Sequence, residues 1–199
     1  MTGPAPKPPS ADDNAFKAQL ITLIPHLRAF ARTLTGDPTA ADDLAQDAMM
    51  KAWDARASYQ MGTNMKAWTF MILRNQFYSE KRRSWRQSQL DQEAAERTLV
   101  AVDDPEAPVA LDELRQALKT LPEEQREALI LVGAGGFAYE EAAEICGCAV
   151  GTVKSRVSRA RRALQATLER GGYGRDGEAA GDAMRTILGE ADRLAGARS

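Results

Sequence analysis

The chain has 199 residues, 44% of them hydrophobic, and a formal net charge of −2, which is typical of one large or two small globular domains. No apolar run approaches the roughly 18 residues that span a bilayer, and the proline-rich residues 1–13 lack the apolar segment of a signal peptide. These features argue against membrane and secreted proteins, so we expect a cytoplasmic protein that begins with a disordered segment.

The single histidine, His26, and the closely spaced Cys146 and Cys148 suit neither a zinc site nor a disulfide framework, so no metal or cofactor is expected. We expect Cys146 to be a buried, unreactive residue on an apolar helix face.

Apolar residues recur at intervals of three and four along most of the chain, and strand signals are almost absent, so the sequence predicts an all-α fold. Charge is segregated along the chain. Residues 14–90 hold eleven basic and six acidic side chains, whereas residues 91–112 hold one basic and seven acidic ones. The acidic stretch also contains Pro105 and Pro108, which favours a flexible linker between two small helical domains. The predicted division is a disordered segment 1–13, a domain 14–90, a linker 91–112, a domain 113–170 and an extension 171–199.

A helix start is marked near residue 38 in the stretch TGDPTAADDLAQDAMMKAW. Asp37 is suited to cap this helix, and Pro38 is suited to its first turn because no hydrogen bond is needed from its nitrogen there. The acidic and amide side chains that follow allow two interpretations. They complement the positive end of the helix dipole, or they form an exposed patch for a protein partner. This acidic patch would consist of Asp43, Gln46 and Asp47.

The next basic stretch, NMKAWTFMILRNQFYSEKRRSWRQ, covers residues 64–87 and alternates aromatic with cationic side chains; Asn64 is suited to cap it. Such alternation suits single-stranded nucleic acid, whose bases stack on rings while its backbone follows positive charge. A small domain also needs aromatic residues in its core, so we expect the aromatics to be mostly buried. Asn75 and the loop 59–63 are expected to form a pocket that receives an extruded base.

Residues 113–170 contain the pattern of a helix-turn-helix. A helix is predicted over 139–146, Gly147 breaks it, and a second helix, the recognition helix, is predicted over 150–163. When positions are turned by about 100° per residue, one face of the second helix is apolar and the other is basic and polar. The apolar face comprises Val153, Val157, Ala160 and Leu164.

Three interpretations of the basic face compete. A solvent-exposed charged face usually mixes both signs, but residues 149–168 contain no acidic side chain. A membrane-surface helix would carry bulky apolar anchors, whereas this one carries valine and alanine. Duplex DNA is therefore favoured, since a helix fits the major groove and its cations can bind guanine. Thr152 lies at the start of the helix near the DNA backbone, base contacts are predicted for Lys154, Ser155, Ser158 and Arg159, and Arg156, Arg161 and Arg162 would bind phosphates or the domain itself.

Four segments together carry a family resemblance: DDLAQDAMMKAW, NMKAWTFMILRNQFYSEKRR, LPEEQREALILV and YEEAAEICGCAVGTVKSRVSRARRAL. In this order they resemble the extracytoplasmic-function branch of the sigma-70 family of RNA polymerase factors. The segments PHLRAFARTLTGD, NMKAWTF and EEAAEICGCAVGTVKSR resemble in particular the EcfG group, which directs the general stress response of alphaproteobacteria. The resemblance extends over about residues 14–170.

The resemblance implies a role for each predicted surface. The first domain would grip the clamp helices of the largest polymerase subunit through the helix that bears DDLAQD, which favours docking as the role of the acidic patch. It would also recognise and melt the −10 promoter element, with Asn75 at the base-contacting position. The second domain would bind the flap of the other large subunit and recognise a GGAA-type −35 element through its basic helix face. The implied −10 residues are Tyr59, Arg74, Asn75, Ser79, Arg82 and Arg83.

The resemblance further implies that a NepR-like anti-sigma factor holds the protein inactive until a PhyR-type response regulator, which mimics the sigma factor, releases it. In the family the two promoter elements lie about 17 base pairs apart, which is about 58 Å at about 3.4 Å per pair. The 22 residues of the linker 91–112, when fully extended, reach about 70 Å, so the two domains can span this distance.

Two other classes of function remain as alternatives. A sequence-specific regulator would bind duplex DNA through 113–170 alone and use 14–90 for sensing or dimerisation, but the aromatic and arginine-rich helix 64–87 argues against it. An enzyme has little support, because the chain has one histidine, no glycine-rich phosphate loop and no pairing of a nucleophile with a base. We therefore expect no catalytic residues.

Overall fold

The computed structural model describes residues 11–90, 114 and 116–170, and every regular element within these ranges is helical. The prediction of an all-α fold is thus confirmed. The first domain contains helices α1 (Ala11–Thr22), α2 (Ile24–Thr35), α3 (Pro38–Asp54) and α4 (Met65–Leu90), with a short 3-10 turn (Arg56–Ser58) before α4. The second domain contains α5 (Glu123–Gly133), α6 (Tyr139–Cys146) and α7 (Val150–Arg170).

The two predicted helix caps of the first domain are confirmed. The Asp37 side chain accepts a hydrogen bond from the backbone N–H of Ala40 at 2.7 Å, and Asn64 accepts one from Ala67 at 3.0 Å. Each bond satisfies a backbone donor that the first turn of a helix leaves without a partner. At α5, Pro122 lies just before the first helical residue, Glu123.

Helix α1 begins at Ala11, so the prediction of disorder for residues 1–13 is wrong for its last three residues. Asp13 accepts a hydrogen bond from Nε of Arg56 at 2.7 Å, which ties the first turn of α1 to the chain after α3. The rest of that segment, the predicted linker 91–112 and the predicted extension 171–199 lie outside the described residues.

The core of the first domain forms where α2, α3 and α4 pack together. Phe30 of α2 stacks on Phe70 of α4 with 4.8 Å between ring centroids, and both rings are buried. A smaller apolar cluster around Phe16 and Leu20 attaches α1 to the end of α3 and the start of α4. Each fully buried leucine or phenylalanine contributes about 1.5–3 kcal/mol, so these two clusters fix how α3 and α4 are presented at the surface.

The second domain has the predicted helix-turn-helix, in which α6 and α7 are joined by a tight turn. Gly147 ends α6 in the left-handed conformation with φ of 62°, which glycine adopts without the strain that a side chain would add. The recognition helix, α7, continues to Arg170, beyond the predicted end at residue 163. Its buried apolar side chains pack against α5 and α6.

The two domains are packed against each other. One apolar cluster takes residues from both, and Phe70 of α4 meets Phe137 of the α5–α6 loop edge to face at 5.0 Å between ring centroids. Helix α4 lies along α6, and α2 approaches α5. Among the helices of the described ranges, none combines the length and the hydropathy of a membrane span.

Candidate nucleic-acid and protein interfaces

The outward face of α7 carries most of the side chains that were predicted to contact DNA. Val153, Val157, Ala160 and Leu164 are buried, so the opposite side of the helix is turned towards solvent. Lys154, Ser158, Arg159 and Arg162 are exposed there, and Thr152 and Ser155 are half-buried. Lys154 also lies 5.6 Å from the centre of the Tyr139 ring on α6.

Two contacts arrange this face. The Ser155 hydroxyl donates to the carbonyl of Thr152 at 2.9 Å and accepts from Arg159 at 3.3 Å, which restrains the Arg159 side chain along the helix. Arg156 points the other way, with 17% of its side chain exposed, and forms an ion pair with Glu124 of α5. Its guanidinium also approaches the Cys148 sulfur at 3.6 Å. Of the two roles that the sequence leaves open for Arg156, the structure therefore favours holding the domain together.

Cys146, the last residue of α6, is buried as expected. Burial, followed by the negative charge of Glu127, raises the pKa of its thiol to about 12. A thiol with this pKa is protonated at neutral pH and is a poor nucleophile. The side chain therefore acts as a small apolar group beneath the turn of the helix-turn-helix.

The second half of α4 presents a basic stripe. Asn75, Arg82 and Arg83 are exposed, and Ser79 is half-buried between them. Asn75, Ser79 and Arg82 follow one another at spacings of four and three residues, so they lie on one side of the helix. Trp85 is 63% exposed, whereas Trp68 and Phe77 are half-buried and Phe70 is buried. The expectation that the aromatics are mostly core residues is thus correct except at Trp85.

Arg74, a predicted −10 residue, contacts the second domain instead of solvent. Its Nε donates to Oε1 of Glu127 at 2.6 Å, and its Nη2 donates to Oε2 at 3.3 Å. The Tyr78 hydroxyl donates to the same Oε2 at 3.3 Å, and the Arg74 guanidinium lies 4.5 Å from the centre of the Tyr78 ring. Glu127 is 1% exposed, so α4 supplies the partners that this carboxylate needs in order to be buried.

The pKa values of this group reflect its burial. Desolvation raises the pKa of Glu127, although hydrogen bonds from Arg74 and Tyr78 oppose the shift. Burial would lower the pKa of Arg74, but the hydrogen bond and charge of Glu127 outweigh it and raise the pKa. Burial also raises the pKa of the Tyr78 hydroxyl, which remains a donor. The sequence analysis did not identify Glu127 as an interface residue. A signal was available, because Glu127 lies one turn before Leu131 on the apolar face of α5, where an acidic side chain needs a partner.

Three more polar contacts join α4 to the second domain. Near the start of α4, Asn64 donates to Oε1 of Glu141 at 2.6 Å, and the Lys66 ammonium donates to the Gly135 carbonyl at 2.7 Å. Further along, Lys81 forms an ion pair with Glu123. These contacts and the Arg74–Glu127 pair lie on both sides of the Phe70–Phe137 contact.

Tyr59 does not face the predicted base pocket. It is buried against Phe16 and Trp68, and its hydroxyl donates to the Thr63 carbonyl at 2.6 Å. The Tyr59 side chain, which is predicted to contact the −10 element, is thus buried in the free chain and holds the loop 59–63 in shape. Within that loop, Met61 is exposed.

The acidic patch lies on α3 as predicted, and Asp43, Gln46 and Asp47 are all exposed. Beside it, a groove of about 750 Å³ runs between α1, α2 and α3 and includes Gln46 in its lining. Two of its apolar side chains are open to solvent, Met50 at 59% and Ile21 at 49%. Sequence reasoning identified the polar residues but missed this apolar groove, because the groove depends on how α1 packs. Across residues 11–90, 114 and 116–170, no cluster of histidine, cysteine or acidic side chains is arranged to hold a metal ion.

Comparison with known proteins identifies a family for each of the two helical regions. Residues 21–87 match the family model for sigma-70 region 2, and residues 111–164 match that for sigma-70 region 4. The ECF RNA polymerase sigma factor EcfG of Rhodopseudomonas palustris (strain TIE-1) is 44% identical over 179 residues, which are 88% of this chain and 96% of that protein. The ECF RNA polymerase sigma-E factor of Escherichia coli (strain K12) is 34% identical over 135 residues, which are 61% of this chain and 70% of that protein.

Two solved structures resemble the fold over most of its length. The sigma factor RpoE in complex with the anti-sigma factor NepR from Bartonella quintana is 46% identical, with a TM-score of 0.71 and coverage of 79% of this chain and 98% of that one. The structure of CnrH in complex with the cytosolic domain of CnrY is 26% identical, with a TM-score of 0.57 and coverage of 80% of this chain and 90% of that one.

Proposed function

Because the chain belongs to the extracytoplasmic-function branch of the sigma-70 factors, we propose that it binds core RNA polymerase and directs promoter recognition and initiation as an EcfG-like sigma factor. The observation that carries this conclusion is the 44% identity with EcfG over 96% of that protein. The match covers both helical domains, which a transcriptional regulator sharing only the helix-turn-helix would not explain. A sigma factor of this kind works in the cytoplasm, where the polymerase and the chromosome are, and needs no catalytic residues of its own.

We assign −35 recognition to the second domain, residues 113–170. The exposed face of α7 is cationic, and its opposite face is buried in the domain. The helix can therefore enter the major groove while the domain stays folded. Lys154 and Arg159 provide donors for guanine, and Ser155 holds Arg159 in place. Arg162 and the start of the helix at Thr152 are suited to phosphate contacts.

We assign −10 recognition and melting to the first domain, residues 14–90. The exposed Asn75 is suited to bind an extruded base, and Ser79, Arg82 and Arg83 extend the same stripe along the strand that carries it. Arg74 would join this set once it is free of Glu127. The role of Tyr59 is to shape the loop.

Core docking is proposed for the acidic patch together with the adjacent groove. Asp43 and Asp47 can pair with cations of a polymerase helix, while Met50 and Ile21 offer apolar contact area beside them. A surface that combines exposed apolar side chains with charges at the rim has the composition of a protein interface. The groove is thus the hydrophobic part of the site whose polar part the sequence predicted.

We also propose control by a NepR-like anti-sigma factor within a general stress response. Support comes from the 46% identical sigma factor RpoE of Bartonella quintana, which was crystallised with the anti-sigma factor NepR. The linker 91–112, which lies outside the described residues, would allow the domains to separate by the roughly 58 Å between promoter elements.

Transcription in vitro tests the proposal most directly. Purified core RNA polymerase is supplied with a promoter that carries a GGAA-type −35 element, with and without this protein, and the transcript start is mapped. Initiation at the specific start only when the protein is present is the expected result. No initiation, combined with tight binding of the protein alone to duplex DNA, would instead favour the sequence-specific regulator.

A further inference from the structure

Glu127 occupies an unusual place for a charged residue. It belongs to α5 of the second domain, but its hydrogen-bond partners, Arg74 and Tyr78, belong to α4 of the first. The carboxylate is 1% exposed, and the side chains that donate hydrogen bonds to it both come from α4. An acid buried within its own domain would have its partners there, whereas this one is matched across a domain boundary.

The same contact uses a residue that the proposed function needs elsewhere. Arg74 lies one position before Asn75, at the middle of the helix assigned to the −10 strand, and its side chain is 16% exposed while Glu127 holds it. The bidentate geometry, with two nitrogens on two carboxylate oxygens, is also the way in which an arginine grips a phosphate. Glu127 therefore occupies the donor groups with which Arg74 could otherwise bind a phosphate.

While the two domains are packed together, they cannot bind the −10 and −35 elements at the same time. A domain of roughly 60 residues has a radius of gyration of about 10 Å, so the outward face of α7 lies within about 30 Å of Glu127. Promoter elements separated by about 58 Å require the domains to move apart, and the Arg74–Glu127 pair must then break. Breaking it frees Arg74 and exposes a carboxylate that water can solvate.

We propose that Glu127 is an intramolecular latch, which holds the free chain in a closed form and competes with promoter DNA for Arg74. Lys81–Glu123 and Asn64–Glu141 reinforce the same closed form from α4 to α5 and α6. The inference rests on the proposed function, because it takes −10 binding as the role of the released arginine. Binding of core polymerase or promoter then has to overcome closure, which lowers the apparent affinity by the fraction of chains that are open.

The first test is Glu127→Ala in the full chain. Alanine favours helix, and in the open form it replaces an exposed side chain, so the domains still fold. We expect a larger radius of gyration by small-angle scattering and about tenfold tighter binding of the free chain to a single-stranded −10 oligonucleotide. Glu144→Ala, which removes an exposed acid from α6 of the same domain, is the matched control and is expected to change neither quantity. Equal radii and equal oligonucleotide affinities for wild type and Glu127→Ala would overturn the latch.

The second test closes the latch covalently. Lys81 and Glu123, an ion pair across the boundary, are changed to cysteines in a chain whose Cys146 and Cys148 are replaced by alanine, and a cleavable bismaleimide joins them. The cross-linked chain is expected to lose initiation with core polymerase and to regain it when the linker is cut. Full activity while cross-linked would refute the need for opening. If the wild-type chain itself directs no initiation, the proposed function fails, whereas the scattering comparison still decides whether the latch exists.

Discussion

The basic faces of α7 and α4 differ in how much of each is covered by contacts with the rest of the molecule. On α7 the exposed side chains assigned to the −35 element project opposite a buried apolar face, and Arg156 forms an ion pair with Glu124 of α5. On α4 the middle of the face assigned to the −10 element also forms a domain contact, because Arg74 binds the buried Glu127. Similar charge on similar helices thus gives two surfaces of unequal accessibility. One is ready in the free chain, and the other depends on domain separation.

The largest effect on stability is expected from disrupting the buried apolar face of α7. Val157 is buried, so Val157→Asp places an unpaired charge in an apolar interior and should lower the free energy of unfolding by about 4 kcal/mol or more. Ser158→Asp, one position along on the exposed face, should change stability by less than about 0.5 kcal/mol while weakening −35 binding through repulsion. Urea unfolding followed by circular dichroism measures both variants, and equal destabilisation would contradict the assignment of the two faces.

The next effect concerns the loop on which α4 rests. A Cβ atom at Gly135 would lie 2.5 Å from the Leu131 carbonyl and 2.9 Å from the Phe137 ring, so Gly135→Ala should destabilise the protein by about 1–3 kcal/mol. Gly133→Ala is the control, since nothing lies within 4 Å of its Cβ position and alanine favours the helix. Thermal unfolding should separate the two, and equal melting temperatures would show that the loop adapts.

Arg159→Ala tests whether the face of α7 is already available. Loss of a base-contacting arginine should weaken −35 duplex binding by about tenfold, in the free chain and in the polymerase complex alike. Binding to a promoter altered at −35 provides the control. If the variant loses as much affinity for the altered promoter, Arg159 contacts phosphate and carries no sequence information.

Asn75→Ala should affect a later step of transcription initiation than Arg159→Ala, namely promoter melting instead of −35 binding. Because Asn75 is exposed and assigned to an extruded base, its loss should reduce the yield of open complex severalfold and leave core binding intact. Permanganate reactivity of melted thymines measures the yield, and titration with core polymerase supplies the control. An unchanged yield would remove Asn75 from the proposed −10 site.

The smallest effect is expected at Trp85. Since Trp85 is 63% exposed while Trp53 and Trp68 are half-buried, Trp85→Phe should change stability by less than about 0.5 kcal/mol but remove most of the acrylamide-quenchable fluorescence. In the wild-type chain, a −10 oligonucleotide should protect this fluorescence if bases stack on the ring. Quenching that is unaffected by the oligonucleotide would place Trp85 outside the nucleic-acid surface.

Local signals predicted much of this fold. The caps at Asp37 and Asn64, the break at Gly147 and the apolar stripe from Val153 to Leu164 each depend on residues within a few positions of one another. Such patterns fix the start of a helix or the direction in which its side chains point, whatever lies further along the chain. For this reason the exposed positions of α7 and of the acidic patch were predictable.

Contacts between distant segments were not predictable in the same way. Glu127 and Arg74 are 53 residues apart, and neither helix pattern indicates that the two side chains meet. Tyr59 is polar enough to suggest a surface role, yet Phe16 of α1 and Trp68 of α4 enclose its ring. In both cases the decisive neighbour comes from another part of the chain, so burial followed from tertiary packing that periodicity does not specify.

The polar contacts between the domains are spread along a single helix. From Asn64 to Lys81, α4 rises about 26 Å at 1.5 Å per residue, and it meets α5, α6 or their loop near both ends and in the middle. A stiff rod held at several points cannot be released by bending at one of them, since the remaining contacts keep it aligned. Opening should therefore be cooperative, with few half-open molecules, and its rate should depend steeply on temperature.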